Sequence, residues 1–258
     1  MWDAQMYHRY GAQRLRPSLD LARALENKKP QRILDVGCGS GMSTACLVSA
    51  FPDAEIVGVD LSQEMLQKAK ENLPTVQFLL RDCSKPLSDL GTFDLIFSNA
   101  FLQWIPNQET FIARAFAMLR PNGTFAAQIP LAQEMPSFSC ILQAEKQFPE
   151  KMKQIQPHKY VLHGAGDYYN MLASCTSDIS LWITEYCHPM DSPEQILAFL
   201  QGAALRPHLE YLEPEEQALF FEDLLARLKN RYPRQANGKI LFPFRRLFVI
   251  GEADARIV

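Results

Sequence analysis

The stretch Arg-Ile-Leu-Asp-Val-Gly-Cys-Gly-Ser-Gly at residues 32–41 decides the fold of this chain. A short, mostly apolar run is followed by three glycines at alternate positions. A buried strand that ends in a glycine-rich turn and opens a helix is the first unit of a doubly wound α/β sheet. Glycine allows a tight turn there and lets a ligand approach the backbone without a Cβ clash. We therefore predict a ligand-binding loop at residues 37–41.

Outward from this loop, strands and helices alternate along the first half of the chain. Strands are predicted at 32–36, 55–60, 76–80, 93–97 and 124–129, with Ser62 as the N-cap of one helix and a turn at 121–123. The strand runs are nearly all apolar, as a sheet covered on both faces requires. The sequence therefore predicts an α/β fold with a mostly parallel sheet and helices on both faces.

The second half has a looser pattern, with two late strands separated by helices. We predict strands at 179–186 and 240–250 and helices at 136–148, 167–174, 193–202 and 214–232. The expected organisation is one domain over residues 1–258. Its parts are a helical N-terminal cover at 1–30, a cofactor-binding core at 31–130, helical lid or substrate insertions at 131–166 and 191–238, and a final strand at 239–250.

The amino-acid composition argues against a nucleic-acid partner and against a membrane-spanning segment. The formal net charge is -3, so no basic bias indicates a nucleic-acid partner. Apolar stretches are too short and interrupted to span a bilayer, and no charged-then-apolar leader opens the sequence, so we expect a cytoplasmic protein. The six cysteines form no C-x-x-C pair, which favours reduced thiols and no zinc or other metal site.

The spacing of the loop indicates which ligand it binds. In a dinucleotide fingerprint the third glycine would fall at position 42, which is Met42, and this argues against an oxidoreductase. Asp35 stands two residues before Gly37, and a carboxylate there favours a cationic ligand over a phosphate. The methionine end of S-adenosylmethionine carries an ammonium and a sulfonium. We predict that Asp35 takes part in binding the ammonium, directly or through water.

Polar residues also end the next three predicted strands. Asp60 can accept from ribose hydroxyls, Asp82 and the Cys83 backbone can bind adenine, and Asn99 ends the fourth strand. Ligands of open α/β sheets lie at the carboxyl ends of strands, so these positions predict one cofactor site. Taken singly, each side chain is equally explained as a helix cap or turn former.

Several segments together resemble the trans-aconitate 2-methyltransferase family of class I methyltransferases. They are ILDVGCGSG, VGVDLS, DLIFSNAFLQW and LRPNGTFAAQ in the first half, and YHRYGAQRLRP, GDYYNMLAS, GAALRPHL, YPRQANGKIL and RRLFVI elsewhere. Residues 132–156 match poorly. The resemblance implies a seven-stranded sheet whose last strand is antiparallel, Gly37 and Gly39 against the amino-acid moiety of the cofactor, and Leu61 packed on the adenine.

The resemblance also implies esterification of a small polycarboxylic acid. Such an acceptor is already ionised at neutral pH, so we expect no general base among the residues of the chain. Arginine is the natural ligand for its other carboxylates. The acceptor candidates are Arg206 and Arg246 first, then Trp104, Arg14 and Tyr7, of which Arg14 and Tyr7 could instead bind the cofactor carboxylate. Arg16, His163 and His188 are weaker candidates, since a surface ion pair or a structural histidine explains them equally well.

Three other functions remain open from the sequence. The acceptor could be a malonyl-type thioester carboxylate on a carrier protein, although no basic rim is evident for an acidic carrier. It could be another small molecule methylated on carbon, nitrogen or oxygen, which would usually need a base. A non-catalytic binding module would be expected to have lost cofactor positions, and all of them are present in this sequence.

Overall fold

The computed structural model describes residues 11–154, 161–202 and 204–255. The strands are β1 (Arg32–Val36), β2 (Glu55–Asp60), β3 (Gln77–Leu80), β4 (Phe93–Asn99), β5 (Leu119–Pro130), β6 (Asp178–Met190) and β7 (Ile240–Glu252). The α-helices are α1 (Gly11–Arg23), α2 (Met42–Ala50), α3 (Gln63–Asn72), α4 (Gln108–Ala117), α5 (Pro136–Glu145), α6 (Pro149–Met152), α7 (Ala165–Ala173), α8 (Pro193–Gln201), α9 (Arg206–Leu209) and α10 (Pro214–Arg231). Short 3-10 helices cover Ser88–Leu90, Leu102–Trp104 and Ala132–Glu134.

The seven strands form one mixed sheet in the order β3-β2-β1-β4-β5-β7-β6. Strands β3, β2, β1, β4 and β5 pair in parallel along this order. Reversal of strand order beside β1 creates the crevice in which ligands of doubly wound folds bind. The predicted fold class is therefore confirmed, and β1 and β2 have the predicted bounds.

Two compact units divide the chain. Among the described residues, the sheet unit comprises 14–130, 163–183 and 247–255, and the helical unit comprises 11–13, 131–154, 161–162, 184–202 and 204–246. In the helical unit, α10 packs against α5 and α8, and Phe220, Leu224 and Leu228 of α10 are fully buried in its core. The predicted boundaries of core, cover and lid remain predictions.

Some elements have bounds that differ from the sequence prediction, because those bounds depend on contacts between segments far apart in the chain. The predicted turn at 121–123 lies inside β5, because Leu119 pairs with Phe93 and Thr124 already pairs with Leu95. The residues between them form a bulge, with Asn122 in the left-handed region at φ 60°. Strand β6 is longer than predicted, and the short helix α9 was not predicted. The Ser62 cap is confirmed, since its side chain accepts from the Met65 amide.

None of the helices within the described residues is both long and apolar enough to cross a membrane.

Two glycines give a matched test of core packing. A Cβ atom on Gly58 in β2 would lie 2.6 Å from the Phe78 ring, whereas a Cβ on Gly166 in α7 would meet nothing within 4 Å. We expect Gly58→Ala to destabilise the protein by about 1–3 kcal/mol through overpacking. Gly166→Ala should stabilise it by about 0.5–1 kcal/mol, because alanine favours the helix. Urea unfolding measures both, and equal effects of the two variants would contradict the packing described here.

Candidate functional site

The glycine loop follows β1 and is tied to β2. The amides of Gly37 and Cys38 both donate to the Val59 carbonyl, at 2.9 and 3.1 Å. Gly37 and Gly39 have φ values of 71° and 54°, which a side chain rarely tolerates. Gly37 packs on the Phe101 ring, but nothing lies within 4 Å of the position a Cβ would take on Gly39. The loop backbone at Gly39 is therefore open to a ligand.

Asp35 is completely buried behind this loop. Its Oδ2 accepts hydrogen bonds from Ser43 Oγ at 2.8 Å and Thr44 Oγ1 at 2.6 Å. Its buried Oδ1 has no hydrogen-bond partner among the described residues. Burial raises the pKa of this carboxyl from 3.8 to about 6. A buried carboxylate with one unused oxygen fits a cationic group such as the ammonium of S-adenosylmethionine.

Asp60 ends β2 and connects the loop to the next helix. Its Oδ2 accepts from the Gly39 amide and its Oδ1 from the Ser62 amide, both at 2.9 Å. A carboxylate has about four acceptor positions, so hydrogen bonds from ribose hydroxyls remain possible. The adjacent Leu61 is 68% exposed, an unusual environment for a leucine. A carboxylate beside an exposed apolar side chain fits a nucleoside.

Asp82 and Cys83 follow β3. Asp82 Oδ1 accepts from the Ser84 amide and hydroxyl, at 2.9 and 2.6 Å, and the hydroxyl contact is the main reason that its pKa is lowered. Cys83 is buried, and burial, helped by the charge of Asp60, raises its pKa to about 12. The thiol is therefore neutral at physiological pH, which suits contact with an uncharged base.

Asn99 is the last residue of β4. Its Oδ1 is buried and has no hydrogen-bond partner within the described part of the chain. Because β3, β2, β1 and β4 are adjacent and parallel, their carboxyl ends meet at one edge of the sheet. The structure thus brings the predicted cofactor residues to one edge, while their individual roles remain predictions.

Four further residues at this edge were not predicted. Ser43 and Thr44 hold Asp35, Ser84 holds Asp82, and Phe101 covers Gly37. Ser43 and Thr44 could have been predicted from the sequence, because hydroxyl side chains in the first turn of a helix face the end of the preceding strand. Nothing in the local sequence assigned Phe101 to Gly37.

The two arginines favoured for the acceptor both lie in the helical unit but differ in burial. Arg246 in β7 is 7% exposed, and its Cζ lies 4.3 Å from the centroid of the Phe244 ring. Arg206 is exposed and begins α9. The burial of Arg246 is unusual for a guanidinium and marks it as the stronger candidate of the two.

The structure says less about the other residues that the sequence suggested for binding the acceptor. Trp104 is half-buried at the end of a 3-10 turn in the sheet unit, and Arg14 lies in α1. Tyr7 lies outside the described residues. Arg16 forms an exposed ion pair with Asp20 at 2.9 Å, which agrees with the prediction of a surface ion pair in place of an acceptor contact.

Candidate metal ligands were searched over residues 11–154, 161–202 and 204–255. No group of three or more His, Cys, Asp or Glu side chains in those ranges could hold a metal ion. All six cysteines are free thiols.

Solved structures share this fold at low sequence identity. YcgJ from Bacillus subtilis aligns with a TM-score of 0.59 and 17% identity, covering 93% of this chain and 99% of that one. A phosphoethanolamine N-methyltransferase from Haemonchus contortus, solved in complex with S-adenosyl-L-methionine, aligns with a TM-score of 0.56 and 18% identity, covering 93% of this chain and 53% of that one. These likenesses establish the fold.

Sequence comparisons extend beyond the sheet unit. Residues 33–123 match the family described as "Methyltransferase domain". The trans-aconitate 2-methyltransferase of Variovorax paradoxus is 34% identical, covering 98% of this chain and 99% of that protein. Its counterpart from Rhodopseudomonas palustris is 35% identical, covering 96% and 98%. The chain therefore belongs to the trans-aconitate 2-methyltransferase family and is an S-adenosylmethionine-dependent methyltransferase.

Proposed function

We propose that the chain methylates a carboxylate of a small polycarboxylic acid such as trans-aconitate and releases a methyl ester. The observation that carries this proposal is the likeness to trans-aconitate 2-methyltransferases over nearly the full length, helical unit included. A likeness confined to the glycine loop would support only the choice of cofactor. The buried Arg246 adds support, because a polyanionic acceptor needs buried cationic ligands.

Asp35 and the glycine loop are proposed to bind the amino-acid end of the cofactor. When bound, S-adenosylmethionine supplies an electrophilic methyl group to the acceptor. Gly37 and Gly39 lie against the methionine moiety, and Asp35 Oδ1 neutralises its ammonium directly or through a water molecule. A carboxylate at this position keeps the cationic end in place without competing as an exposed nucleophile, since Asp35 is fully buried.

The nucleoside end is assigned to the next three strand ends. Asp60 accepts from the ribose hydroxyls, and Leu61 packs on one face of the adenine. Asp82 accepts from the adenine amino group, while the Cys83 backbone donates to the ring. Asn99 borders the cofactor where β4 ends.

On the acceptor side, Arg206 and Arg246 are proposed to bind carboxylates, and Trp104 to form a wall of the acceptor pocket. Arg14 and Tyr7 bind the acceptor or the cofactor carboxylate. Aligning an ionised oxygen with the methyl group is the main catalytic contribution, and such alignment lowers barriers by about 7–11 kcal/mol in favourable cases. We also propose that the partner is a small molecule rather than a nucleic acid or a membrane, and that the protein is cytoplasmic.

The pH profile of turnover tests the absence of a base. With saturating acceptor and S-adenosylmethionine, kcat should stay flat from about pH 7 to about pH 9, because carboxylic acids near their usual pKa of about 4 are ionised throughout. His163→Gln should leave this profile unchanged. An ascending limb near pH 7 that a histidine substitution removes would contradict carboxylate methylation and indicate an acceptor that loses a proton during transfer.

A further inference from the structure

One face of β6 and β7 in the helical unit carries a histidine among aromatic rings. Phe242, Phe244 and Arg246 alternate along β7 and therefore share one face of that strand. The His188 ring centroid lies 6.5 Å from that of Phe242 and 6.3 Å from that of Phe244. Phe199 of α8 lies 5.8 Å from His188. His188 is thus surrounded by apolar rings on more than one side.

His188 is a nearly buried polar side chain in an aromatic environment. It is 8% exposed, and its ring also stacks on that of Tyr186, with 6.4 Å between the ring centroids. Burial and the charge of Arg246 lower its pKa from 6.5 to about 4, so the imidazole is neutral at physiological pH. A neutral imidazole keeps one N–H donor, which can donate to a carboxylate oxygen.

Arg246 lies against the same ring as His188. Its Cζ is 4.3 Å from the centroid of Phe244, and it is 7% exposed. A buried guanidinium attracts an anion strongly, because little water screens its charge. An imidazole N–H beside it adds a directional donor, which distinguishes a carboxylate placed in one orientation from a loosely held ion.

We propose that His188 and Arg246 together bind one carboxylate of the acceptor, His188 through its neutral N–H and Arg246 through its guanidinium. This inference rests on the proposed function and adds to it a residue that determines acceptor affinity. It assigns His188 to binding and not to proton transfer, in agreement with a reaction that needs no base. If His188 were only a packing residue, phenylalanine would replace it among these rings without loss.

Calorimetric titration of trans-aconitate into protein loaded with S-adenosylhomocysteine tests the inference. His188→Phe keeps the aromatic packing and removes the donor, so the Kd for trans-aconitate should rise about ten-fold or more. His188→Gln restores an N–H donor and should stay closer to the unsubstituted protein. Tyr169→Phe is the control, since it removes one side-chain donor from an exposed residue outside this cluster, and its Kd should not change.

The possible outcomes distinguish the role of His188 from the proposed function. Equal Kd values for the unsubstituted protein and His188→Phe would overturn the role of His188 while leaving the proposed function intact. So would equal weakening in His188→Phe and His188→Gln, with unfolding temperatures and S-adenosylhomocysteine affinity retained. No binding of trans-aconitate to the unsubstituted protein would instead overturn the proposed function, and this inference with it.

Discussion

Asp35→Asn is expected to become more stable, relative to the unsubstituted protein, as the pH rises from about 4 to about 8. Burial raises the pKa of Asp35 in the folded chain to about 6 from 3.8, so the folded state holds this proton more tightly than the unfolded state. The resulting stabilisation is complete below about pH 4 and is lost as the pH rises through about 6. Asparagine never ionises, so Asp35→Asn shows no such loss of stability as the pH rises. The difference amounts to about 3 kcal/mol, at roughly 1.4 kcal/mol per pKa unit.

Urea unfolding of the cofactor-free proteins across this pH range measures the difference. Asp53→Asn is the control, because it makes the same change at an exposed carboxylate. A difference between Asp35→Asn and the unsubstituted protein that stays constant with pH would contradict the buried, ionising Asp35.

The same substitution should weaken cofactor binding. Loss of the carboxylate removes the partner proposed for the ammonium, so the Kd for S-adenosylhomocysteine, which retains that ammonium, should rise about ten-fold or more. In the unsubstituted protein, affinity should fall as the pH drops through about 6, since Asp35 then becomes protonated. Unchanged affinity in Asp35→Asn would assign Asp35 to loop structure alone.

Arg246→Lys is expected to raise the KM for the acceptor by about 10- to 100-fold, which corresponds to losing a charge-assisted hydrogen bond of about 1.5–3 kcal/mol. Lysine keeps the charge but lacks the planar fork that binds a carboxylate through two donors. Its ammonium would also need to replace a buried guanidinium that lies on the Phe244 ring. If the arginine sets the angle of attack, kcat should fall as well.

Arg206→Lys provides the comparison for Arg246→Lys. Arg206 is exposed, so water screens its charge and the same substitution should raise KM less. Steady-state kinetics, with S-adenosylhomocysteine affinity as a check of folding, measures both variants. A larger effect at Arg206, or a KM unchanged in Arg246→Lys, would reverse the ranking of the two arginines.

Strands and cofactor positions of the first half could be predicted from the sequence because their signals are local. A parallel strand buried on both faces has a mostly apolar sequence, and here β1 is followed by Gly37 and β2 ends with Asp60. Residues 32–36 and 55–60 accordingly have the predicted bounds. Asp60 could be placed beside the loop because adjacent parallel strands end at the same edge.

Features that depend on contacts between distant residues could not be predicted. The strand β5 continues past Asn122 only because β4 offers pairing partners on both sides of the bulge. The approach of Phe101 to Gly37, and the neighbourhood of His188 and Arg246 around Phe244, are set by packing between segments far apart in sequence. Burial separated Arg246 from Arg206, which the sequence alone ranked equally.

Identification of the methylated product decides whether the protein methylates a carboxylate. The purified protein is incubated with isotopically labelled S-adenosylmethionine and a panel of small mono-, di- and tricarboxylic acids, and the products are identified by mass spectrometry. We expect a labelled methyl ester of trans-aconitate or a closely similar polycarboxylate, which mild alkali hydrolyses back to the acid. Label found only on a nitrogen, carbon or hydroxyl of another acceptor, with every polycarboxylate unmodified, would contradict it.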